Sequence, residues 1–92
     1  MLYPKFMIYD TEIILGKVEF HQDLLPDKFD MSKVYGGGMF TIDNENKKIT
    51  LYGKSEKFGR FCPERANSFP FEDSRIHDYE RVVEPYKQYE EW

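Results

Sequence analysis

Cysteine and histidine are scarce in this sequence. The 92 residues contain one cysteine, Cys62, and two histidines, His21 and His77. A single cysteine excludes an internal disulfide framework and is typical of a protein of the reducing cytoplasm, so we expect a cytoplasmic location. Two distant histidines and one cysteine have no metal-ligand spacing, so we expect neither a metal nor another cofactor.

Long apolar runs and an excess of positive charge are also lacking. No apolar run approaches the roughly 18 residues of a membrane span, and the start of the chain lacks the basic-then-apolar layout of a signal peptide. The formal net charge of −4 argues against a general nucleic-acid surface, which needs a basic stripe along the phosphate backbone. We therefore expect neither a membrane nor a nucleic acid as partner.

Aromatic residues are abundant, at 17% of the chain with eight Phe and seven Tyr, and should form much of the core. Short apolar runs bounded by turn residues predict strands at 5–9, 12–15, 39–42, 48–53 and 79–83. The polar turn at 43–46 joins two of them in a hairpin. Proline limits helices to short ones, within 18–25 and 63–73. We predict an α+β domain with a small mixed or antiparallel sheet and one or two short helices over residues 1–85, followed by an acidic aromatic tail at 86–92.

Two glycine-containing elements flank the predicted hairpin. Gly36-Gly37-Gly38 precedes its first strand, and Gly53-Lys54-Ser55 follows its second. In an antiparallel pair these two ends lie side by side, so the elements should meet. Glycines let backbone N–H groups face an anion at close range, which predicts a pocket for phosphate. The commoner reason for glycine at strand ends, a bulge and a tight turn, is the alternative.

Two phosphate-binding loops of known enzymes are excluded by spacing. A Walker A loop needs a glycine five residues before Gly53, where the sequence has Lys48. The loop of cysteine phosphatases needs an arginine six residues after the nucleophile, where Cys62 is followed by Ser68. We therefore expect Cys62 to be a buried, inert thiol.

His21 lies in the segment Glu19-Phe20-His21-Gln22-Asp23. A neutral imidazole can take a proton from water, and a carboxylate nearby can orient it. The alternative is an ordinary surface or core histidine, which is also the interpretation we favour for His77.

Three parts of the sequence belong to one pattern: the run Gly36-Gly37-Gly38, the strand start Lys48-Ile49 and the loop from Tyr52 through Gly53-Lys54-Ser55-Glu56-Lys57-Phe58 to Gly59. Together they resemble the phosphohistidine phosphatase (Janus/Ocnus) family. That family has a Tyr-Gly-x-Ser-x-x-Tyr/Phe-Gly loop at the same spacing. Glu19-Phe20-His21 resembles its Glu-Tyr-His, and Lys5 falls where it has a phosphate-proximal lysine. The resemblance covers most of residues 5–83 and indicates a divergent, small member of bacterial or phage type.

The resemblance implies a phosphohistidine-phosphatase-like fold and a metal-free phosphatase acting on a phosphorylated protein. His21 would be the catalytic base. The implied phosphate-binding residues are Lys5, Gly53, Lys54, Ser55, Glu56 and Lys57, supported by Gly36, Gly37 and Gly38. The alternative is a non-catalytic module that binds a phosphate-like anion or a phosphoprotein. Met39, which stands where the family has an arginine, and the short segment after His21 favour this alternative.

The sequence also allows two further interactions, one through the C-terminal tail and one through the sheet edges. The tail from Tyr86 to Trp92 is acidic and aromatic, so it would either bind a partner or fold back onto the sheet. The exposed edges of a small sheet would also allow a homodimer.

Overall fold

The computed structural model describes residues 1–84, which form a five-stranded mixed sheet with a few short helices. The strands are β1 (Tyr3–Tyr9), β2 (Glu12–Val18), β3 (Val34–Asp43), β4 (Lys48–Tyr52) and β5 (Glu80–Glu84), and the α-helix is α1 (Pro63–Ser68). Short 3-10 helices span His21–Leu24, Met31–Lys33 and Ser74–Ile76. The α+β prediction is confirmed, whereas the predicted tail at 86–92 lies outside the described residues.

The strand order is β2-β1-β3-β4-β5. The first four strands pair antiparallel, and β5 pairs parallel with β4. Parallel neighbours need a crossover connection, and here residues 53–79, with α1 in their middle, cross one face of the sheet. The predicted hairpin is confirmed, because β3 and β4 pair from Met39↔Tyr52 to Asp43↔Lys48.

The glycine triplet lies within a strand, so its predicted place before the strand was wrong. Strand β3 begins at Val34, and Gly37 and Gly38 pair with Met7 and Phe6 of β1. The triplet belongs to the central strand because neighbouring chain segments press on it from both faces. A Cβ at Gly36, whose φ is +87°, would overlap the backbone of residues 60–61. Strand β2 likewise continues past its predicted end, through Gly16 to Val18.

One face of the sheet is covered by residues 61–79 of the 53–79 connection and forms the hydrophobic core. We call it the packed face. Side chains alternate along a strand, so Phe6 and Ile8 of β1 point to this face, as do Phe40 of β3 and Ile49 and Leu51 of β4. They pack against Phe61, Ala66, Phe71 and Ile76 of the connection. Burying one such side chain contributes about 1.5–3 kcal/mol, so this face supplies most of the stability.

The opposite face is only partly covered. We call it the groove face. The 3-10 helix His21–Leu24 lies over β1 and β2, and Lys5 of β1 and Met39 of β3 are paired neighbours beside it. No helix within residues 1–84 has the length and apolar character needed to cross a bilayer.

Candidate functional site

A groove with a volume of about 560 Å³ opens on the groove face. It is lined by Tyr3, Lys5, Glu19, Phe20, His21, Gln22, Met39, Lys54, Ser55, Glu56 and Lys57. The groove thus brings together six of the residues predicted for the site. Gly53 and the three glycines of β3 do not line it, although β3 forms the sheet beneath.

The two glycine-containing elements adjoin, as the hairpin predicted. The Gly37 N–H donates to the carbonyl of Gly59 at 3.4 Å, and Met39, directly after the triplet, pairs with Tyr52, directly before Gly53. The triplet's direct contribution is to let other groups approach. The triplet therefore supports the site from the sheet beneath the groove and does not line the groove itself.

His21 is held at the start of a 3-10 helix. The Asp23 carboxylate accepts the Phe20 N–H at 3.3 Å, which stabilises the first turn. The imidazole is buried, with 8% of the residue exposed, and its Nε2 lies 2.8 Å from the Gly38 carbonyl oxygen. Because a carbonyl oxygen can only accept, Nε2 carries the hydrogen. In the neutral ring Nδ1 is therefore the unprotonated nitrogen.

The second ring nitrogen of His21 reaches the groove. Within residues 1–84 every fully buried side-chain nitrogen or oxygen has a hydrogen-bond partner, whereas the only hydrogen bond of the His21 ring there is the one made by Nε2. Nδ1 is therefore accessible to solvent in the groove. Burial lowers the pKa of His21 below its ordinary 6.5, and Lys5 acts in the same direction, whereas the Gly38 carbonyl opposes them. The ring is thus kept neutral, with an open lone pair, at physiological pH.

Gly37 provides the space in which His21 sits. A Cβ at position 37 would lie 2.5 Å from the Phe6 carbonyl oxygen, 2.6 Å from Met7 Sδ and 3.0 Å from His21 Cδ2. The first of these contacts is with backbone, so it cannot be relieved by a side-chain rotation. The glycine is therefore required for the close approach of the imidazole to the sheet.

The Ser55 loop is a tight hairpin closed on itself. Ser55 and Gly59 exchange both backbone hydrogen bonds, at 3.1 and 2.9 Å, and Ser55 Oγ accepts the Phe58 N–H at 3.0 Å. The Ser55 N–H is therefore already used within the loop. Among residues 1–84 the N–H groups of Glu56 and Lys57 have no acceptor, and the Ser55 hydroxyl can still donate its own proton.

Two lysines of the groove are held by neutral oxygen atoms. Lys5 Nζ donates to the Glu19 carbonyl, and Lys57 Nζ donates to Oε1 of Gln22. The ion pairs within residues 1–84 include neither lysine. Both ammonium groups are thus oriented without being neutralised by a carboxylate contact, which favours an anion in the groove.

The remaining candidate residues lie elsewhere. His77 Nδ1 lies 2.6 Å from the Ser74 carbonyl, and neither His77 nor Cys62 lines the groove. Cys62 is half-buried, not fully buried as expected, and hydrogen bonding from the Arg65 backbone lowers its pKa. Within residues 1–84 no group of three or more His, Cys, Asp or Glu is placed to hold a metal ion.

One groove residue, Gln22, was not predicted from the sequence. Its partner Lys57 is 35 residues away in the chain, and no motif links the two positions. Only the arrangement of the His21 helix opposite the Ser55 loop brings them together.

The fold and the groove define a small α+β protein that gathers a neutral histidine and several lysines at one open site. The chain belongs to the Janus/Ocnus family, because the family model described as "Janus/Ocnus family (Ocnus)" matches residues 6–71. The matched range contains every groove residue except Tyr3 and Lys5. Comparisons with curated proteins and with solved structures found no match.

Proposed function

We propose that this protein is a metal-free phosphatase with a phosphohistidine-phosphatase-like fold, acting on phosphohistidine or a similar phosphoramidate in proteins. The observation that carries the proposal is the open Nδ1 of His21 in the same groove as Lys5, Lys57 and Ser55. A neutral, oriented imidazole is the group that can activate water next to an anion. The family membership of residues 6–71 supports the same proposal.

In the proposed reaction His21 Nδ1 accepts a proton from a water molecule positioned in the groove. The water oxygen forms a bond to phosphorus as the bond between phosphorus and the substrate nitrogen breaks. The proton passes to the leaving nitrogen directly or through solvent, so the products are the free side chain and inorganic phosphate. The hydrogen bond from Nε2 to the Gly38 carbonyl stabilises the transient imidazolium and keeps Nδ1 directed to the groove.

The phosphoryl oxygens would be held by oriented donors. Lys5 and Lys57 supply ammonium groups, Ser55 supplies its hydroxyl, and the N–H groups of Glu56 and Lys57 supply backbone donors. In phosphoryl transfer most of the catalytic effect comes from positioning and from charge stabilisation of this kind. The Ser55 N–H takes no part in the proposal, because Gly59 already accepts it.

A second candidate function is a non-catalytic module that binds a phosphate-like anion or a phosphorylated protein. The specific observation in its favour is Met39, which lies on the groove floor with 6% of the residue exposed and contributes no charge there. In this alternative the lysines bind the anion and His21 only packs against β3.

The test is hydrolysis of phosphohistidine by the purified wild-type protein, the His21→Ala variant and a His77→Ala control, after treatment with a chelator. We expect wild-type and His77→Ala activity to be equal, and His21→Ala to lose about 100-fold or more, the usual contribution of a general base. Wild-type inactivity combined with saturable binding of inorganic phosphate would support the binding module. Full activity of His21→Ala would refute the role of His21.

A further inference from the structure

Gln22 and Lys57 connect the two walls of the groove. Lys57 Nζ, on the Ser55 loop, donates to Oε1 of Gln22, which follows His21 directly in the 3-10 helix. Both side chains line the groove. The contact therefore ties a positive charge from one wall to the helix that carries the candidate base on the other.

Within the described part of the chain, the segment at 19–22 holds two of the three lysines that line the groove. Its Glu19 carbonyl binds Lys5, its imidazole is the candidate base, and its Gln22 amide binds Lys57. The two lysines differ in one respect. Lys5 is held by a backbone oxygen, which no substitution at position 19 removes, whereas Lys57 is held by a side-chain oxygen, which Gln22→Met removes.

The neutral amide of Gln22 can hold the Lys57 ammonium without neutralising its charge. Lys57 Nζ has three N–H donors and uses one for Gln22, so two remain for an anion. A free lysine side chain would have to be ordered on binding, at a cost in rotamer entropy. The Phe58 ring, 5.6 Å from Lys57 Nζ, adds a weak attraction for the ammonium that also leaves its charge intact.

We infer that Gln22 is a positioning residue: it holds the Lys57 ammonium over the groove as a preordered cation for the phosphoryl group. The inference rests on the proposed function to the extent that the groove takes a phosphoryl anion. Gln22 itself makes no bond to the anion in this assignment and acts through Lys57.

The experiment measures the affinity for inorganic phosphate by NMR titration of wild type, Gln22→Met, Lys57→Met and the double variant. Methionine matches glutamine in length and ends at the atom position that carries the lysine ammonium, so each substitution removes the polar end. We expect Gln22→Met to weaken binding about 3- to 10-fold and Lys57→Met about 10-fold or more, as for the loss of a neutral and of a charge-assisted hydrogen bond. The double variant should bind no more weakly than Lys57→Met alone, because Gln22 acts through Lys57.

Two further variants test whether the loss of phosphate affinity comes from the positioning of Lys57 or from a general loss of positive charge. Lys17→Met removes the same charge from an exposed position on β2 outside the groove, and its affinity should stay close to that of wild type. Gln22→Glu keeps an oxygen acceptor for Lys57 but adds a carboxylate next to His21. The added carboxylate should weaken phosphate binding and raise the pKa of His21, measured by NMR. A merely structural role of Gln22 would instead leave the phosphate affinity unchanged in Gln22→Met or weaken it further in the double variant than in Lys57→Met.

The outcomes distinguish this inference from the phosphatase proposal. An inactive wild type that binds phosphate in a Gln22-dependent way would refute catalysis and support the positioning role. An active wild type whose phosphate affinity is unchanged in Gln22→Met would support catalysis and overturn the positioning role. Additive effects of Gln22→Met and Lys57→Met, or no phosphate binding by the wild type, would also overturn it.

Discussion

The packed face and the groove face are built from the same strands but have opposite properties. On β1, Phe6 is completely buried on the packed face, and its neighbour Lys5 lines the groove. On β3, Phe40 joins the core and Met39 forms the groove floor. The packed face is covered by residues 61–79 of the connection, whereas the groove face carries the 3-10 helix His21–Leu24 over β1 and β2 and the Ser55 loop that lines the groove.

The comparison shows how a chain of this size separates stability from chemistry. A small domain buries a limited fraction of its surface and needs most of its apolar residues in one core. Concentrating that core on the packed face leaves the groove face free to hold lysines and a partly buried histidine. We therefore expect substitutions on the packed face to change stability and substitutions on the groove face to change binding.

The largest effect is expected for Phe6→Ala, compared with Phe20→Ala. Phe6 is fully buried and contacts Phe61 edge-on with ring centroids 5.0 Å apart, so its truncation should cost about 3–5 kcal/mol of unfolding free energy. Phe20 is 63% exposed at the groove rim, and its truncation should change stability by less than about 0.5 kcal/mol. Urea denaturation measures both. Equal losses would contradict the proposed division between the faces.

A smaller but still clear loss is expected for Gly37→Ala. The added methyl would meet the Phe6 carbonyl at 2.5 Å and the His21 ring at 3.0 Å, and such overpacking costs about 1–3 kcal/mol. This substitution should also displace His21 and so change its NMR titration. Gly16→Ala is the matched control, because its methyl meets only the end of the flexible Leu24 side chain, at 2.7 Å. A Gly16→Ala loss as large as that of Gly37→Ala would refute the backbone-clash argument.

The pH dependence of stability should show the burial of His21. Its folded-state pKa is lowered from 6.5, so below that pH the unfolded chain binds a proton more readily than the folded one. The stability linked to His21 is fully present above pH 6.5 and decreases as the pH falls below it. Between pH 7.5 and pH 5 the unfolding free energy of wild type should therefore fall relative to that of His21→Gln. No change in this difference would contradict the lowered pKa.

The smallest effect on stability is expected for Lys5→Met. Lys5 is only half-buried and bonds to the Glu19 carbonyl, so we expect a change within about 0.5 kcal/mol. Phosphate binding should nevertheless weaken, and the pKa of His21 should rise because Lys5 helps to lower it. Lys17→Met, which removes an exposed lysine of β2, is the control and should alter neither property. A large loss of stability in Lys5→Met would show that the groove face also contributes to the core.

The strands and the hairpin could be predicted from the sequence because their signals are local. A short apolar run marks β1, alternating apolar residues mark β4, and the polar turn at 43–46 aligns β3 with β4. The glycine triplet was predicted in the wrong place because its position depends on contacts that are distant in sequence. Glycine at a strand end and glycine inside a crowded central strand look alike in sequence, and only the packing of Phe6, Met7 and His21 around β3 distinguishes them.

Six of the predicted site residues lie together in the groove, whereas Gly53 and the glycine triplet do not line it, and the geometry of the groove was not predicted. The motif around Ser55 and the segment around His21 both indicated groove residues. The closed Ser55–Gly59 hairpin, which uses the Ser55 N–H, was not predictable, because the same Gly-Lys-Ser sequence also suits an open loop. The contact between Gln22 and Lys57 was missed, because a hydrogen bond between residues 35 apart has no local signal.

The sequence by itself determined the class of fold, the hairpin and the family resemblance, since these depend on side-chain alternation, turn residues and motif spacing. The tertiary structure alone decided that β5 joins the sheet in parallel, that Nε2 of His21 donates to Gly38, and that Lys57 donates to Gln22 across the groove. Each of these features needs two distant segments in a defined register. That register comes from burying Phe6, Ile49 and Leu51 in one core, so the packed face determines the geometry of the groove face.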